Sequence, residues 1–163
     1  LMATIYLGLG SNVEPDKNLC LALNELRRRY GELQVSNAYR NAAVGFEGDD
    51  FVNLVVALES QDSPHAICHE IELIHNLSGR CRSSNKWESR PLDIDLLLYN
   101  DLVIDEKPVR VPRSDILNYG FVLRPLAELA PDLQHPVTGK TMLQHWQEFD
   151  AGSHPMRRVD VKE

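Results

Sequence analysis

The sequence has 163 residues, 43% hydrophobic and 25% charged, which fits one compact soluble domain and excludes a disordered or fibrous chain. Seventeen Lys and Arg against 24 Asp and Glu give a formal charge of −7, which argues against a nucleic acid or an anionic membrane as the main partner. The charge is uneven: residues 79–91 hold Arg80, Arg82, Lys86 and Arg90 against Glu88 alone, and an acidic protein with one basic loop suits a small anion better than a polyanion. The three cysteines, Cys20, Cys68 and Cys81, have no CxxC or zinc spacing, and their odd count fits a reducing compartment. No apolar run approaches a membrane span, and residues 1–9 lack the apolar core of a signal peptide. The expectation is a cytoplasmic protein.

In chain order, Ala3–Leu7 reads as a strand running into a turn at Gly8-Leu9-Gly10-Ser11-Asn12. Pro15 opens a helix whose Leu19, Ala22, Leu23, Leu26 and Tyr30 recur at helical spacing, with Gly31 as its stop. Leu33, Val35, Asn37 and Tyr39 alternate with polar residues and predict a second strand. Residues 41–50 form a loop. Val52–Glu59 is apolar on both faces, as a central strand is. Ser63 caps and Pro64 starts a second helix with inner face Ile67, Cys68, Ile71 and Ile74, ending before Gly79. After the basic loop, Leu92–Tyr99 is a strand, and Asn100-Asp101 turns it into a hairpin with Leu102–Ile104. Residues 105–120 read as irregular, Pro125–Ala130 and Thr141–Phe149 as short helices, and 147–163 as a helix end and a solvated tail. This order predicts a single α+β domain over 1–163, a mainly antiparallel sheet with helices packed on it.

Asp93 and Asp95 are the most informative pair. At i and i+2 on a strand they share a face, roughly 7 Å apart at the backbone, and Leu97 and Tyr99 continue that face. Two like charges on a mostly apolar strip are costly unless compensated. A divalent cation compensates them, and carboxylates suit magnesium. From spacing alone, a strand end emerging into solvent explains the pair equally well. The basic loop shifts that balance, because guanidinium groups grip phosphate oxygens in pairs and carboxylates beside them suit a magnesium–nucleoside triphosphate. No Walker pattern occurs, and Gly8-x-Gly10 is only a fragment of a dinucleotide fingerprint, better read as a tight turn beneath a site. His65 and His69, with His75 beyond, read as surface histidines rather than zinc ligands. Ser11 has no recognisable triad partner. Asn53 interrupts an apolar strand with a paired donor and acceptor suited to the edge of a nitrogen heterocycle, and Phe51, Trp87 and Phe121 offer stacking faces, although core packing explains each of these phenylalanines taken singly.

Several stretches resemble one family. Leu7-Gly8-Leu9-Gly10-Ser11-Asn12, Tyr39-Arg40, Phe51-Val52-Asn53, Ile71-Glu72, Gly79-Arg80-Cys81-Arg82, Trp87-x-x-Arg90-x-x-Asp93-Ile94-Asp95, Val111-Pro112, Gly120-Phe121-Val122-Leu123 and Pro125-Leu126-x-Glu128-x-Ala130-Pro131 look, in order and spacing over residues 3–146, like the 6-hydroxymethyl-7,8-dihydropterin pyrophosphokinases of folate biosynthesis. The resemblance implies a ferredoxin-like monomer that uses ATP and two Mg2+ to transfer a pyrophosphoryl group to the pterin hydroxymethyl oxygen. With the charge balance above, no nucleic-acid or membrane partner is expected. By position, Asp93 and Asp95 hold both metals, Arg80, Arg82 and Arg90 contact the triphosphate, and Glu72, Arg110 and Arg113 lie near the nucleotide. Val44, Phe51, Asn53, Trp87 and Phe121 surround the pterin. Asn53 reads the ring edge, Phe51 and Phe121 stack on it, and Trp87 rides a loop that closes over the substrates.

The chain departs from the family at Glu88-Ser89, where Gly-Pro is usual, and at Pro91, where threonine is common. Arg113 stands where a histidine follows Val-Pro, and Tyr119 where an arginine is expected. These departures predict weaker nucleotide binding or slower turnover. They also motivate an alternative, a divergent paralogue that binds pterin or nucleotide with little catalysis. The Asp93/Asp95 pair speaks against it, since pterin binding alone needs no metals. A ferredoxin-like RNA-binding domain is a third reading, disfavoured by the net charge and the lack of aromatics along one strand.

Overall fold

The structure, a computed structural model, describes residues 1–45, 47–79 and 91–163. Its elements in chain order are β1 (Ala3–Ser11), α1 (Pro15–Tyr30), β2 (Gln34–Val35), β3 (Ala38–Asn41), β4 (Phe51–Ser60), α2 (Pro64–Leu77) and β5 (Asp93–Tyr99). There follow β6 (Ile104–Glu106), β7 (Val109–Val111), α3 (Asp115–Asn118), α4 (Gly120–Leu129), α5 (Met142–Glu148), a short 3-10 turn at Ala151–Ser153 and β8 (Arg157–Val159).

Alternation divides β1 between two faces. Ile5, Leu7 and Leu9 point into a core shared with Val52, Leu54, Val56 and Leu58 of β4. That core is closed by Leu19, Leu23 and Leu26 of α1 and by Ile67, Ile71 and Ile74 of α2. Gly31, at φ 80°, ends α1 in a conformation that favours glycine. The Ser63 hydroxyl accepts the Ala66 N–H at 3.1 Å at the start of α2, a cap that stabilises a helix by about 1 kcal/mol. The other sheet face meets α3, α4 and α5 through Val55, Leu97, Leu98, Ile116, Leu123 and Leu126. Strands run in the order β5-β1-β4-β3-β8, with β2 also on β4 and every pairing antiparallel. The β-α-β-β-α-β order through β5 is the expected ferredoxin-like α+β arrangement. Among the described residues, no helix is long and apolar enough to cross a membrane.

The second predicted strand is split in two. Ser36 donates its N–H to the Val55 carbonyl at 2.9 Å and accepts the Val55 N–H on its hydroxyl at 2.8 Å, so a side chain takes the place of a ladder bond. Gly8 and Gly10 lie within β1 rather than in a turn after it. The expected partner of β5 is wrong as well: Leu102 and Val103 are outside any strand, and the hairpin forms instead between β6 and β7. A register shift opposite Tyr6 and Leu7 skips Leu97. This bulge sends both Leu97 and Leu98 to the α4 side and Tyr99 to the α1/α2 side, not onto the face of the aspartates. Helix α4 starts at Gly120 and contains Pro125. Proline has no N–H, so the Phe121 carbonyl lacks its usual i+4 donor.

The segment 147–163 is not a tail. β8 pairs with β3, the Lys162 N–H donates to Asp16 at 3.2 Å, and Arg27 meets Glu163 at 2.8 Å. A methyl on Gly120 would come within 2.7 Å of Met156 and 3.1 Å of His154, so the C-terminal segment packs directly on the start of α4. Two exposed arginines and one half-buried valine carry no periodicity from which to read an edge strand.

The connection between α4 and α5 has a pH signature. His135 accepts the Val137 and Thr138 N–H groups on Nδ1 at 3.2 and 3.3 Å. Burial, then His145, pushes its pKa below the ordinary 6.5, and burial with Lys140 does the same to His145. Both rings are held neutral where the unfolded chain takes up protons, so their stabilisation is present above about pH 6.5 and is lost as pH falls through the folded values. The urea midpoint should fall between about pH 7.5 and about pH 5. H135N, which keeps an acceptor near the Nδ1 position without titrating, should flatten that decline. An equal decline in H135N would assign it to other groups.

Candidate active site

A cavity of about 450 Å³ opens on the side of the sheet that faces α3 and α4. Its floor follows from register. Gly10 pairs with Asn53 on β4 and with Asp93 on β5, and Gly8 pairs with Val55 and Asp95. An amide and a carboxylate therefore stand on one face, two strand spacings or roughly 10 Å apart, with nothing but glycine between them. At Gly10 a Cβ would lie 2.5 Å from Asn53 Oδ1, so a side chain there would displace the amide. At Gly8 it would meet Leu97 at an ordinary 3.5 Å.

Asn53 is held by a neighbour. Its Nδ2 donates to Asn41 Oδ1 at 2.6 Å, and Asn41, itself buried, donates onward to the Ala42 carbonyl at 3.0 Å. Phe51 and Val44 line the cavity beside this pair, and Phe121 lines the α4 side. Tyr119 stacks on Phe121, with centroids 5.1 Å apart and planes 17° from parallel. The position read as a lost cation thus supplies an aromatic backing to a cavity wall.

Asp93 and Asp95 are both half-buried and line this cavity. Arg113 is docked by its backbone, whose N–H donates to the Leu97 carbonyl at 2.9 Å. Its Nη2 then reaches Asp95 at 3.5 Å and its Nε reaches Asp115 at 3.4 Å. Burial works against the guanidinium charge, but Asp95 and Asp115 outweigh it and raise the pKa above its ordinary value. With 37% and 40% of the Arg113 and Asp95 side chains exposed, the pair is loosely held and able to exchange partners.

A second cavity of about 420 Å³ adjoins the first and shares Glu72, Ile94, Asp95 and Arg113 with it. Arg110 lines only this second space and lies 3.4 Å from Asp105. Cys68 faces it too; burial, then Glu72, pushes its thiol pKa up, so it is a poor nucleophile. His65 and His69 are exposed, as read from the sequence. Arg80, Arg82, Trp87 and Arg90 lie outside the described residues.

The donor set fits magnesium. Two oxygen-donor carboxylates on one strand face, open to a cavity, match an ion that takes one or two carboxylates and fills its octahedron with water and phosphate oxygens. Among the described residues, no group of three or more His, Cys, Asp or Glu is placed to hold a metal by itself.

Asn41, Asp115 and His75 escape the sequence reading, and Tyr119 enters it only as a departure from the family. Asn41 and Asp115 carry no pattern that marks them as site residues. His75 does carry one: it is four residues after Ile71, on the inner face of α2, and it is buried rather than on the surface with His65 and His69.

The chain is also similar to known proteins along most of its length. Residues 6–131 match the family model described as 7,8-dihydro-6-hydroxymethylpterin-pyrophosphokinase (HPPK). A 2-amino-4-hydroxy-6-hydroxymethyldihydropteridine pyrophosphokinase of Aquifex aeolicus is 35% identical over 143 residues, covering 86% of this chain and 89% of the relative. One from Porphyromonas gingivalis is 38% identical over 141 residues, covering 83% and 95%. The crystal structure of wild-type HPPK-DHPS from Plasmodium falciparum superposes with a TM-score of 0.72 at 14% identity, which shows the shared fold. That match covers 91% of this chain and 45% of the longer one.

Proposed function

Because this chain belongs to the 7,8-dihydro-6-hydroxymethylpterin-pyrophosphokinase family, we propose that it transfers the pyrophosphoryl group of ATP to 6-hydroxymethyl-7,8-dihydropterin, releasing AMP, in folate biosynthesis. The observation that carries this reading is the row Asn53–Gly10–Asp93, which sets a heterocycle-reading amide and a metal-suited carboxylate across one open floor.

Asn53, its Nδ2 toward Asn41, reads the pterin edge, with the ring between Phe51 and Phe121 and against Val44. Asp93 and Asp95 would hold two Mg2+ ions, which would neutralise phosphate charge and lower the pKa of the hydroxymethyl group. The hydroxymethyl oxygen attacks the β-phosphorus in line, the bridging bond between the α- and β-phosphates breaks, AMP leaves, and the hydroxyl proton passes to solvent. Alignment and charge neutralisation supply most of the rate. Arg113 exchanges Asp95 for a phosphate oxygen as the nucleotide enters, while Glu72 and Arg110 line the nucleotide side. The family resemblance assigns Arg80, Arg82 and Arg90 to the triphosphate and Trp87 to the pterin. The whole chain acts as one catalytic domain, a cytoplasmic monomer with ATP and pterin as its partners.

The Arg113–Asp95 contact also favours a second reading, a pterin or nucleotide binder with little turnover, in which the guanidinium keeps the carboxylate from a metal. One assay separates them. AMP release that requires both Mg2+ and the hydroxymethylpterin supports the transferase, with nucleotide affinity below that of relatives carrying histidine at the Arg113 position. Calorimetric binding of pterin without AMP release supports the binder.

A further inference from the structure

Among the described residues, β5 is the outer strand of the sheet, so the N–H groups on its outer side have no strand to pair with. One of these belongs to Ile94, the residue between the two site carboxylates. His75, in the last turn of α2, accepts that N–H on Nε2 at 2.8 Å, and its side chain is only 4% exposed. On the other side of the ring, Nδ1 lies 3.2 Å from Glu72 Oε1, one helical turn earlier. A ring nitrogen that accepts an N–H carries no proton of its own, so the neutral ring keeps its proton on Nδ1 and donates it to Glu72. Glu72 and Ile94 thus favour the same tautomer, the carboxylate facing the protonated Nδ1 and the backbone N–H the bare Nε2.

We propose that His75 is a positioning residue for Asp93 and Asp95. It ties the backbone between them to α2 and so sets the direction in which both carboxylates leave the strand. The proposal rests on the assignment of those carboxylates to Mg2+ made above. Direction matters more here than at most sites. An octahedral ion at short oxygen distances tolerates little misplacement, and Arg113 competes for Asp95 from the same cavity. Water could satisfy the Ile94 N–H as well as an imidazole does, but it would leave the strand edge free to shift. A buried ring held between a carboxylate and the backbone N–H would not.

Three substitutions separate the two ring nitrogens. H75Q places an acceptor near the Nε2 position and keeps the bond to Ile94. H75N places its polar atoms near Nδ1, keeps the side toward Glu72 and abandons Ile94. H75L abandons both. Calorimetric titration of Mg2+ into each protein with a non-hydrolysable ATP analogue and pterin present should show H75Q near wild type. H75N, and H75L if it folds, should lose about 10- to 100-fold in Mg2+ affinity, the range for groups that orient metal ligands. Amide exchange at Ile94 should quicken in H75N and not in H75Q, and kcat should fall at limiting Mg2+ with the KM for pterin unchanged. H75N that binds Mg2+ as wild type does, with only its melting temperature lowered, makes His75 merely structural and overturns the proposal. Wild-type protein that binds no Mg2+ under these conditions overturns the metal assignment, and the proposal with it. The two failures are told apart by the wild-type titration.

Discussion

Asp95→Asn should reduce AMP release by at least about 10³-fold, equivalent to about 4 kcal/mol, and leave the protein folded. The two halves of this expectation have separate grounds. The substituted side chain would match Asp95 in shape but offer a neutral amide in place of a charged oxygen, so a Mg2+ ion held as proposed would lose an anionic ligand beside the transferring group. Among the described residues, the structural cost is small. Asp95 contributes an ion pair to Arg113 at 3.5 Å with 40% of its side chain exposed, and pairs of that kind contribute about 0–1 kcal/mol. Arg113 also retains Asp115. A thermal melt within a few degrees of wild type, beside an activity at background, is the expected result. Raising the Mg2+ concentration should recover part of the activity, because an amide oxygen still ligates weakly. Near-normal turnover of D95N at ordinary Mg2+ would remove the carboxylate pair from the chemistry and leave the cavity as a binding site.

The parts of this architecture that the sequence made legible are those where one local rule acts alone. α1 and α2 follow from apolar spacing bounded by Pro15, Ser63, Pro64 and Gly31, and the two sides of β4 from the apolar residues Leu54 to Leu58 on both of its faces. Asp93 and Asp95 share a face because a strand alternates, and that much needs no tertiary information. What alternation does not predict is a bulge, and the slip at Leu97 is why Tyr99 was expected on the wrong face. The interrupted edge of the sheet was illegible for a related reason. Ser36 completes a ladder with its hydroxyl, and β8 is a strand only because β3 offers an open edge. The glycines show the same limit from the other direction. Gly8-x-Gly10 reads as a turn because glycine is common there, but both sit in mid-strand, where the missing side chains make a floor. That function depends on what lies across the sheet from them, which no local window contains. His75 is the exception: the inner-face spacing of α2 was enough to bury it, and the nearby His65 and His69 drew the reading to the surface.

The floor itself makes the second large prediction. If Asn53 reads the pterin edge, N53A should weaken pterin binding about 100-fold, or about 3 kcal/mol, because a heterocycle that enters this cavity then leaves its own donors and acceptors unpaired. ATP binding should change little. Gly10→Ala should weaken pterin binding by a comparable factor without touching the ligand, since the new methyl would stand 2.5 Å from Asn53 Oδ1 and push the amide out of register with Asn41, its 2.6 Å partner. The two changes act through one group, so they should not add. In the N53A background the methyl has no amide to displace, and G10A should cost almost nothing further. Calorimetric titration of the four proteins with the hydroxymethylpterin closes the cycle. A G10A penalty as large in N53A as in wild type would mean that the glycine makes room for the ligand or the strand rather than for Asn53. The amide would then owe its orientation to Asn41 alone, and the row across β4, β1 and β5 would no longer explain how the site tells a pterin from another flat ring.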